Sequence, residues 1–129
     1  MRVPQVAVGA IVFLKDKILL VKRKNEPAAG QWAIPGGKVK WGETLKSAAE
    51  REIYEETRVR IRAGEPVYTL EYIGEPHYII IDLVAEYVSG VPTAGDDAQE
   101  ARWIGRDDLK SLDITDSTRK LLKEKYNYY

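Results

Sequence analysis

The amino-acid sequence predicts an α+β fold. Extended apolar segments fill the first part of the chain and recur after residue 59, whereas helical signals occur in the middle of the chain and at its end. With 129 residues and 44% hydrophobic side chains, the chain is large enough to bury one core. We therefore expect residues 1–129 to form a single domain.

The N-terminal part is predicted to contain a β-hairpin, a loop, a short strand and a glycine turn. These elements lie, in order, at Gln5–Leu14 with Lys17–Arg23, at 24–31, at 32–34 and at Pro35-Gly36-Gly37. A helix follows and ends near Thr57, because Thr44 is a residue type that caps helix N-termini.

The remainder is predicted to be mostly extended and to end in a second helix. In order, the expected elements are an extended segment 59–72 broken at 63–66, a central strand 77–87, a turn-rich loop 89–97, a short strand 101–104, a helical turn 107–110 and a helix at Asp116–Tyr126. Leu121 and Leu122 are expected on the buried side of that helix.

The charge balance argues against a polyanionic partner. Lysine plus arginine number 20 and aspartate plus glutamate number 20, which gives no overall attraction to nucleic acid or to an anionic membrane. The absence of cysteine excludes disulfides and thiolate chemistry. The apolar N-terminal run is short and lacks a cleavage site, and no stretch approaches the ~20 apolar residues that span a bilayer. We therefore expect a cytoplasmic protein.

The first helix carries three carboxylates on one side. At roughly 100° per residue, Glu52, Glu55 and Glu56 fall within an arc of about 100°. An apolar stripe that includes Ala49 and Ile53 overlaps one edge of this arc. The helix can therefore bury one side in a core and direct its acids along the margin of that core.

Neighbouring carboxylates repel one another unless a cation lies among them. A divalent metal is therefore the first hypothesis, and a phosphorylated substrate is the second. Mg²⁺ takes oxygen ligands and usually keeps waters and substrate phosphates in its shell. The alternative is a solvated helix face with weak ion pairs, such as Arg51 with Glu55 four residues later.

The segment 37–59 resembles the Nudix box, Gly-x5-Glu-x7-Arg-Glu-U-x-Glu-Glu-x-Gly-U, in which U is a bulky apolar residue. The matching positions are Gly37, Glu43, Arg51, Glu52, Ile53, Glu55, Glu56 and Val59. One position departs, because Arg58 stands where the family has glycine. Arginine in a left-handed conformation would cost about 1 kcal/mol, unless the helix ends with a different turn. Either outcome affects stability or loop shape more than metal ligation.

The resemblance implies both a fold and a reaction. Nudix hydrolases have a mixed β-sheet between helices, an α/β/α sandwich, and they hydrolyse a nucleoside diphosphate linked to another group. They use Mg²⁺ or Mn²⁺, which binds the glutamates and the pyrophosphate. Family members are often dimers, so the resemblance also implies a homodimer as one assembly of this chain.

The resemblance also implies residue roles. Glu52 and Glu56 are the leading metal ligands, Glu55 completes the cluster or acts as the base, and the backbone carbonyl of Gly36 is a further ligand. Gly37 allows close backbone approach to the substrate.

Family members often recruit another acid from the loop before the last strand. Asp97 is the first choice, because it stands six residues before Trp103, close to where the resemblance implies that similar members place this acid. Glu100 is the second choice, or else a salt-bridge partner of a nearby strand lysine or arginine, and Asp96 is expected to have no role. The alternative for the whole loop is a simple turn.

Residues around the box have open alternatives. Arg51 is expected to orient Glu55 or Glu43, and Glu43 to anchor the loop. Arg23 contacts a substrate phosphate or is an ordinary exposed strand end, and Trp41 stacks on a base or packs on the loop. Three tyrosines of the later strands line an adenine pocket or are ordinary core residues, namely Tyr68, Tyr72 and Tyr78. His77 is a polar strand residue or a catalytic residue.

The segments that flank the box bear on the substrate. Residues 19–44 and 94–103 are similar to the group of family members known as ADP-ribose pyrophosphatases. The resemblance implies ADP-ribose, or a similar nucleoside diphosphate sugar, cut to AMP and ribose 5-phosphate. One alternative is a pyrophosphatase for nucleoside triphosphates, including oxidised ones. Another is a non-catalytic nucleotide-binding module, against which the complete acid set of the box argues.

Overall fold

The computed structural model describes residues 2–95 and 97–128. Its strands are β1 (Gln5–Leu14), β2 (Lys17–Arg23), β3 (Trp32–Ala33), β4 (Gly36–Lys38), β5 (Arg60–Tyr72), β6 (Tyr78–Ser89) and β7 (Ala98–Gly105). The helices are α1 (Leu45–Thr57), a 3₁₀ helix (Arg106–Ser111) and α2 (Asp116–Tyr126). Among these described residues, no helix is long and apolar enough to cross a membrane.

All seven strands form one mixed sheet. The strand order is β3-β2-β1-β6-β5, with β4 also paired to β1 and β7 also paired to β2. β1 and β6 run parallel, from Gln5 opposite Tyr78 to Phe13 opposite Glu86, and the other pairs are antiparallel. β1 therefore lies at the centre of the sheet and contacts three neighbouring strands.

The helices cover opposite faces of the sheet. Successive side chains of a strand point to opposite faces, so Ala10 of β1 packs in the cluster that contains Ile53 of α1. The next residue, Ile11, packs in the cluster that contains Leu121 and Leu122 of α2. The predicted α/β/α sandwich and the predicted buried side of the terminal helix are both confirmed.

Two local predictions were wrong. The predicted turn at Pro35-Gly36-Gly37 is instead the entry into β4, where Gly36 pairs with Gly9 of β1. A Cβ at position 36 would lie 2.1 Å from the carbonyl oxygen of Val8, so glycine permits the close approach of the two strands. The predicted break at 63–66 is only a register irregularity within the continuous strand β5.

Both ends of α1 have defined caps. Thr44 and Ser47 form a capping box at the N-terminus. Arg58 ends the helix in the left-handed conformation (φ 64°, ψ 11°), and its N–H donates to the Tyr54 carbonyl at 2.8 Å. Arginine thus occupies the conformation that the family glycine would adopt most easily.

Candidate active site

Four carboxylates line one small cavity of about 50 Å³. Three of them, Glu52, Glu55 and Glu56, project from α1, and Asp97 comes from the loop before β7. The structure therefore brings together the acids of the helix and the loop acid that the sequence favoured.

Glu100, the other loop acid that the structure describes, does not line this cavity. Glu100 lies in β7, where it binds Arg102 and stands 3.9 Å from the ammonium of Lys22. Glu100 is thus a salt-bridge partner, which confirms the alternative prediction for this residue. Asp96 lies outside the described residues.

Arg51 connects the acids to one another. Its Nη1 donates to Glu52 Oε1 at 2.6 Å and to Glu55 Oε1 at 3.0 Å. Its Nε and Nη2 donate to the two carboxylate oxygens of Glu43 at 2.7 and 2.9 Å, and Nη2 also donates to the Lys38 carbonyl at 3.0 Å. The arginine therefore contacts both of its predicted partners and also Glu52, which sequence reasoning missed.

Glu43 joins the loop after β4 to α1. Its Oε1 accepts a hydrogen bond from the Lys40 N–H at 2.8 Å, and the Arg51 guanidinium binds the carboxylate from the helix side. These contacts, with Arg51 contributing most, lower the pKa of Glu43 to about 2. The geometry agrees with the predicted anchoring of this loop.

Glu56 is a partly buried acid of the cluster. Burial raises its pKa to about 7, and the negative charges of Glu52 and Asp97 act in the same direction. The N–H of Gly36, which donates to Glu56 Oε1 at 3.1 Å, and the charge of Arg23 oppose this rise. Burial, together with the neighbouring carboxylates, therefore disfavours the ionised form of Glu56.

The two glycines of β4 shape the space around the acids. A Cβ at Gly37 would lie 1.8 Å from Glu52 Oε2, so only glycine lets this carboxylate lie against the strand. Gly36 adjoins Glu56 through its N–H, a contact that the sequence did not predict. Gly36, whose carbonyl the resemblance implies as a metal ligand, is thus in direct contact with the acid cluster.

The chemistry of this donor set fits a hard divalent cation. Four carboxylates around one cavity supply oxygen ligands and mutually unfavourable negative charge, both of which Mg²⁺ or Mn²⁺ would compensate. Within residues 2–95 and 97–128, however, no three acidic or histidine side chains already stand close enough to hold an ion. Arg51 binds Glu52 and Glu55, and the Gly36 N–H binds Glu56, so these carboxylates would have to turn toward an ion to ligate it.

The remaining predicted residues lie around this cavity or away from it. Arg23, at the end of β2, donates from Nε to the Pro27 carbonyl at 2.8 Å and is close enough to lower the pKa of Glu56. Trp41 is 101% exposed, so the alternative in which it packs on the loop is wrong. Tyr68 lines a second cavity, of about 420 Å³, with residues that include Asp116 and Lys120 of α2.

Tyr72 and Tyr78 are not among the residues that line that second cavity, and the adenine pocket stays a prediction. Within the described part of the chain, two buried side-chain atoms have no hydrogen-bond partner, His77 Nε2 and Asp82 Oδ1. Asp82 was not singled out from the sequence. The available signal was a carboxylate in the middle of an apolar central strand.

The comparison with known proteins decides the family. A family model described as NUDIX domain matches residues 3–125. The chain belongs to the NUDIX family. A crystal structure of a MutT NUDIX hydrolase from Burkholderia pseudomallei superimposes with a TM-score of 0.84 at 33% identity, covering 96% of this chain and 99% of that one.

Two curated NUDIX relatives carry names that specify different substrates. The chain is 40% identical over 112 residues to an ADP-ribose pyrophosphatase of Methanocaldococcus jannaschii, a match that covers 84% of this chain and 66% of that protein. It is 29% identical over 107 residues to an oxidized purine nucleoside triphosphate hydrolase of Mus musculus, covering 81% and 68%. The matched part thus spans about two thirds of each relative.

Proposed function

We propose that this NUDIX domain is a metal-dependent pyrophosphohydrolase that cleaves ADP-ribose to AMP and ribose 5-phosphate. The observation that carries this proposal is the convergence of Glu52, Glu55, Glu56 and Asp97 on one cavity. The named activity of the relative that is 40% identical supports the choice of substrate.

The ligand set of the proposed cation is Glu52 and Glu56, with Glu55, Asp97 and the carbonyl of Gly36 completing it. When bound, Mg²⁺ or Mn²⁺ neutralises pyrophosphate charge and lowers the pKa of a coordinated water. Arg51 keeps Glu52 and Glu55 in place through its hydrogen bonds to both carboxylates.

Glu55 is the best candidate for the general base. Its side chain is 46% exposed, compared with 20% for Glu52, so a water from the solvent reaches Glu55 more easily than Glu52. The water oxygen attacks a phosphorus, its proton passes to the Glu55 carboxylate, and the bond to the bridging oxygen breaks. The leaving phosphate departs with the electron pair of that bond.

Three residues are proposed to hold the substrate itself. Arg23 carries the positive charge next to Glu56 and would bind a phosphate oxygen. Gly37 would let the backbone of β4 approach the substrate closely, and the exposed indole of Trp41 would stack on the base. We further propose a cytoplasmic protein, with a homodimer as one assembly, and no nucleic acid polymer or membrane as partner.

A second candidate function is the hydrolysis of nucleoside triphosphates, including oxidised ones. The murine relative that is 29% identical, whose name specifies oxidized purine nucleoside triphosphates, favours this candidate. A non-catalytic nucleotide-binding module is less well supported, because the acids and the arginine of the box all face one cavity or one another.

A substrate panel tests the proposal. The purified protein is incubated with Mg²⁺ and either ADP-ribose, dinucleotides, or ordinary and oxidised nucleoside triphosphates, and the products are separated by chromatography. We expect the highest kcat/KM with ADP-ribose. The highest value with a triphosphate would favour the second candidate, and binding without hydrolysis of any compound would favour the non-catalytic module. When acids of the cavity are substituted, Glu65→Gln is the control, because it neutralises an exposed acid that pairs with Lys46 away from the cavity.

A further inference from the structure

The loop 90–95 crosses the carboxyl end of α1. The N–H of Thr93 donates to the Thr57 carbonyl at 2.8 Å, and the N–H of Gly95 donates to the Glu56 carbonyl at 2.7 Å. Carbonyls in the last turn of a helix have no partner within the helix, so they need donors from elsewhere. This loop therefore caps the same helix that carries the three acids.

Gly95 fits against the helix backbone more closely than any other residue type could. A Cβ at this position would lie 1.9 Å from the Glu55 carbonyl oxygen and 2.9 Å from the Glu56 Cα. Both contacts are with backbone atoms, which cannot move aside as a flexible side chain can. Any side chain at position 95 would therefore push the loop away from the helix.

The start of the loop is fixed independently. The hydroxyl of Tyr87 donates to the Gly90 carbonyl at 2.7 Å, and the Tyr87 ring packs edge-to-face on Trp103 at 5.6 Å between centroids. A Cβ at Gly90 would lie 2.5 Å from the Arg58 carbonyl oxygen. The crossing is thus held at its beginning by Tyr87 and at its end by Gly95.

Asp97 follows the second fixed point by two residues. The N–H of Ala98 approaches the Gly95 carbonyl at 3.4 Å, which closes a turn around Asp97. A chain of two residues spans at most about 7 Å. The place of the Asp97 carboxylate relative to Glu55 and Glu56 therefore depends on where Gly95 sits.

We propose that Gly95 is a positioning residue for Asp97, and that its seat on the backbone of Glu55 and Glu56 sets the Asp97 carboxylate at the acid cavity. This inference rests on the proposed function, because it takes Asp97 as a member of the cation-binding set. The loop acid is then placed against the helix acids by this backbone contact. A displacement on the order of 1 Å at such a site is enough to lower activity by a large factor.

The test is a double-mutant cycle on metal binding. Wild type, Gly95→Ala, Asp97→Asn and the double variant are titrated with Mn²⁺ in the absence of substrate by isothermal titration calorimetry. We expect each single variant to bind Mn²⁺ at least tenfold more weakly than wild type. The double variant should bind no more weakly than the weaker single variant, because both substitutions remove the same carboxylate from the cavity.

Two further variants complete the design. Gly105→Ala is the matched control, since a Cβ there would meet only Asp108 Oδ2 at an ordinary 3.5 Å, and we expect wild-type Mn²⁺ affinity. Tyr87→Phe removes the hydroxyl that donates to the Gly90 carbonyl and adds no atoms. It therefore loosens the loop without the steric clash by which Gly95→Ala could prevent folding. We expect it to weaken Mn²⁺ binding about threefold in wild type and to have no effect once Asp97 is Asn.

Several results would overturn the inference. One is wild-type Mn²⁺ affinity in a Gly95→Ala variant whose circular dichroism spectrum is unchanged. Another is a double variant in which the two losses of affinity multiply. If Gly95→Ala does not fold, wild-type affinity in Tyr87→Phe would overturn the inference. Failure of the proposed function would give a different result. In that case wild type itself would not bind Mn²⁺, or would not hydrolyse any compound of the substrate panel.

Discussion

Arg51 binds Glu43 through both carboxylate oxygens, with Nε 2.7 Å from Oε2 and Nη2 2.9 Å from Oε1. The remaining nitrogen of the same guanidinium lies 2.6 Å from Glu52. A planar guanidinium can make such paired contacts in a fixed geometry. Glu43 thus fixes the direction in which Arg51 presents its charge to the acids of the cavity.

Glu43→Gln should lower kcat about tenfold by releasing Arg51 from the loop. The amide accepts with only one oxygen, so the two-point contact is lost and the guanidinium can move further onto Glu52 and Glu55. Steady-state kinetics with ADP-ribose and Mg²⁺ measure the effect, with Glu65→Gln as the control. Wild-type kcat in Glu43→Gln would show that the two-point contact has no part in placing Arg51.

Arg58→Gly should stabilise the protein by about 1 kcal/mol, because Arg58 occupies a left-handed conformation that glycine adopts without strain. Urea denaturation measures the change in the free energy of unfolding. Arg58→Ala is the matched control, since it removes the guanidinium but keeps the Cβ and should bring no such gain. Turnover should stay within a few-fold of wild type. A hundredfold loss would mean that Arg58 touches the substrate.

Much of the site could be predicted because it lies in one continuous segment. The helix period places Glu52, Glu55 and Glu56 on one side, and the structure confirms that they face one cavity. The resemblance to family members that place an acid in the loop before the last strand also pointed to Asp97, which lines the same cavity.

The rest depends on contacts between distant segments. The N–H of Gly36 reaches Glu56 only because β4 pairs with β1, and a Pro-Gly-Gly sequence gives no sign of that pairing. The same limit applies to the seat of Gly95 on the helix. The burial of Asp82 likewise follows from the position of β6 between β1 and β5.

Asp97→Asn should reduce kcat or raise the Mg²⁺ requirement at least tenfold, about 1.4 kcal/mol, because it removes one negative charge from the cavity. Turnover is measured at limiting and at saturating Mg²⁺. Glu100→Gln, which alters an ion pair with Arg102, and Asp107→Asn, which alters an exposed acid of the 3₁₀ helix, should both behave like wild type. If Asp97→Asn also behaved like wild type, the metal site would consist of residues of the box 37–59 alone.

Asp82→Asn should make the stability of the protein less dependent on pH. Burial raises the pKa of Asp82 from 3.8 to about 7, and its Oδ1 has no hydrogen-bond partner among the described residues. The folded chain therefore keeps this proton over a range in which the unfolded chain has lost it. The stabilisation by the neutral acid is fully present below about pH 4 and disappears as the pH rises through about 7, a change on the order of 4 kcal/mol.

Urea denaturation of both proteins at pH 4 and at pH 8 measures this difference. Asparagine is neutral throughout, so Asp82→Asn should match wild type near pH 4 and exceed its free energy of unfolding at pH 8. Comparing the variant with wild type removes the contribution of the cavity acids, which both proteins share. A constant difference between the two proteins at both pH values would contradict the assigned pKa.

The most direct test of the whole account is the hydrolysis of ADP-ribose by wild type and by Glu56→Gln, each with Mg²⁺ and with EDTA. We expect wild type to release AMP and ribose 5-phosphate in equal amounts, to stop in EDTA and to resume when Mg²⁺ is restored. Glu56→Gln should keep its circular dichroism spectrum and lose at least a hundredfold in kcat, about 2.7 kcal/mol of transition-state stabilisation. Turnover by wild type that continues in EDTA, or wild-type kcat in Glu56→Gln, would contradict a metal-dependent site built on the acids of α1.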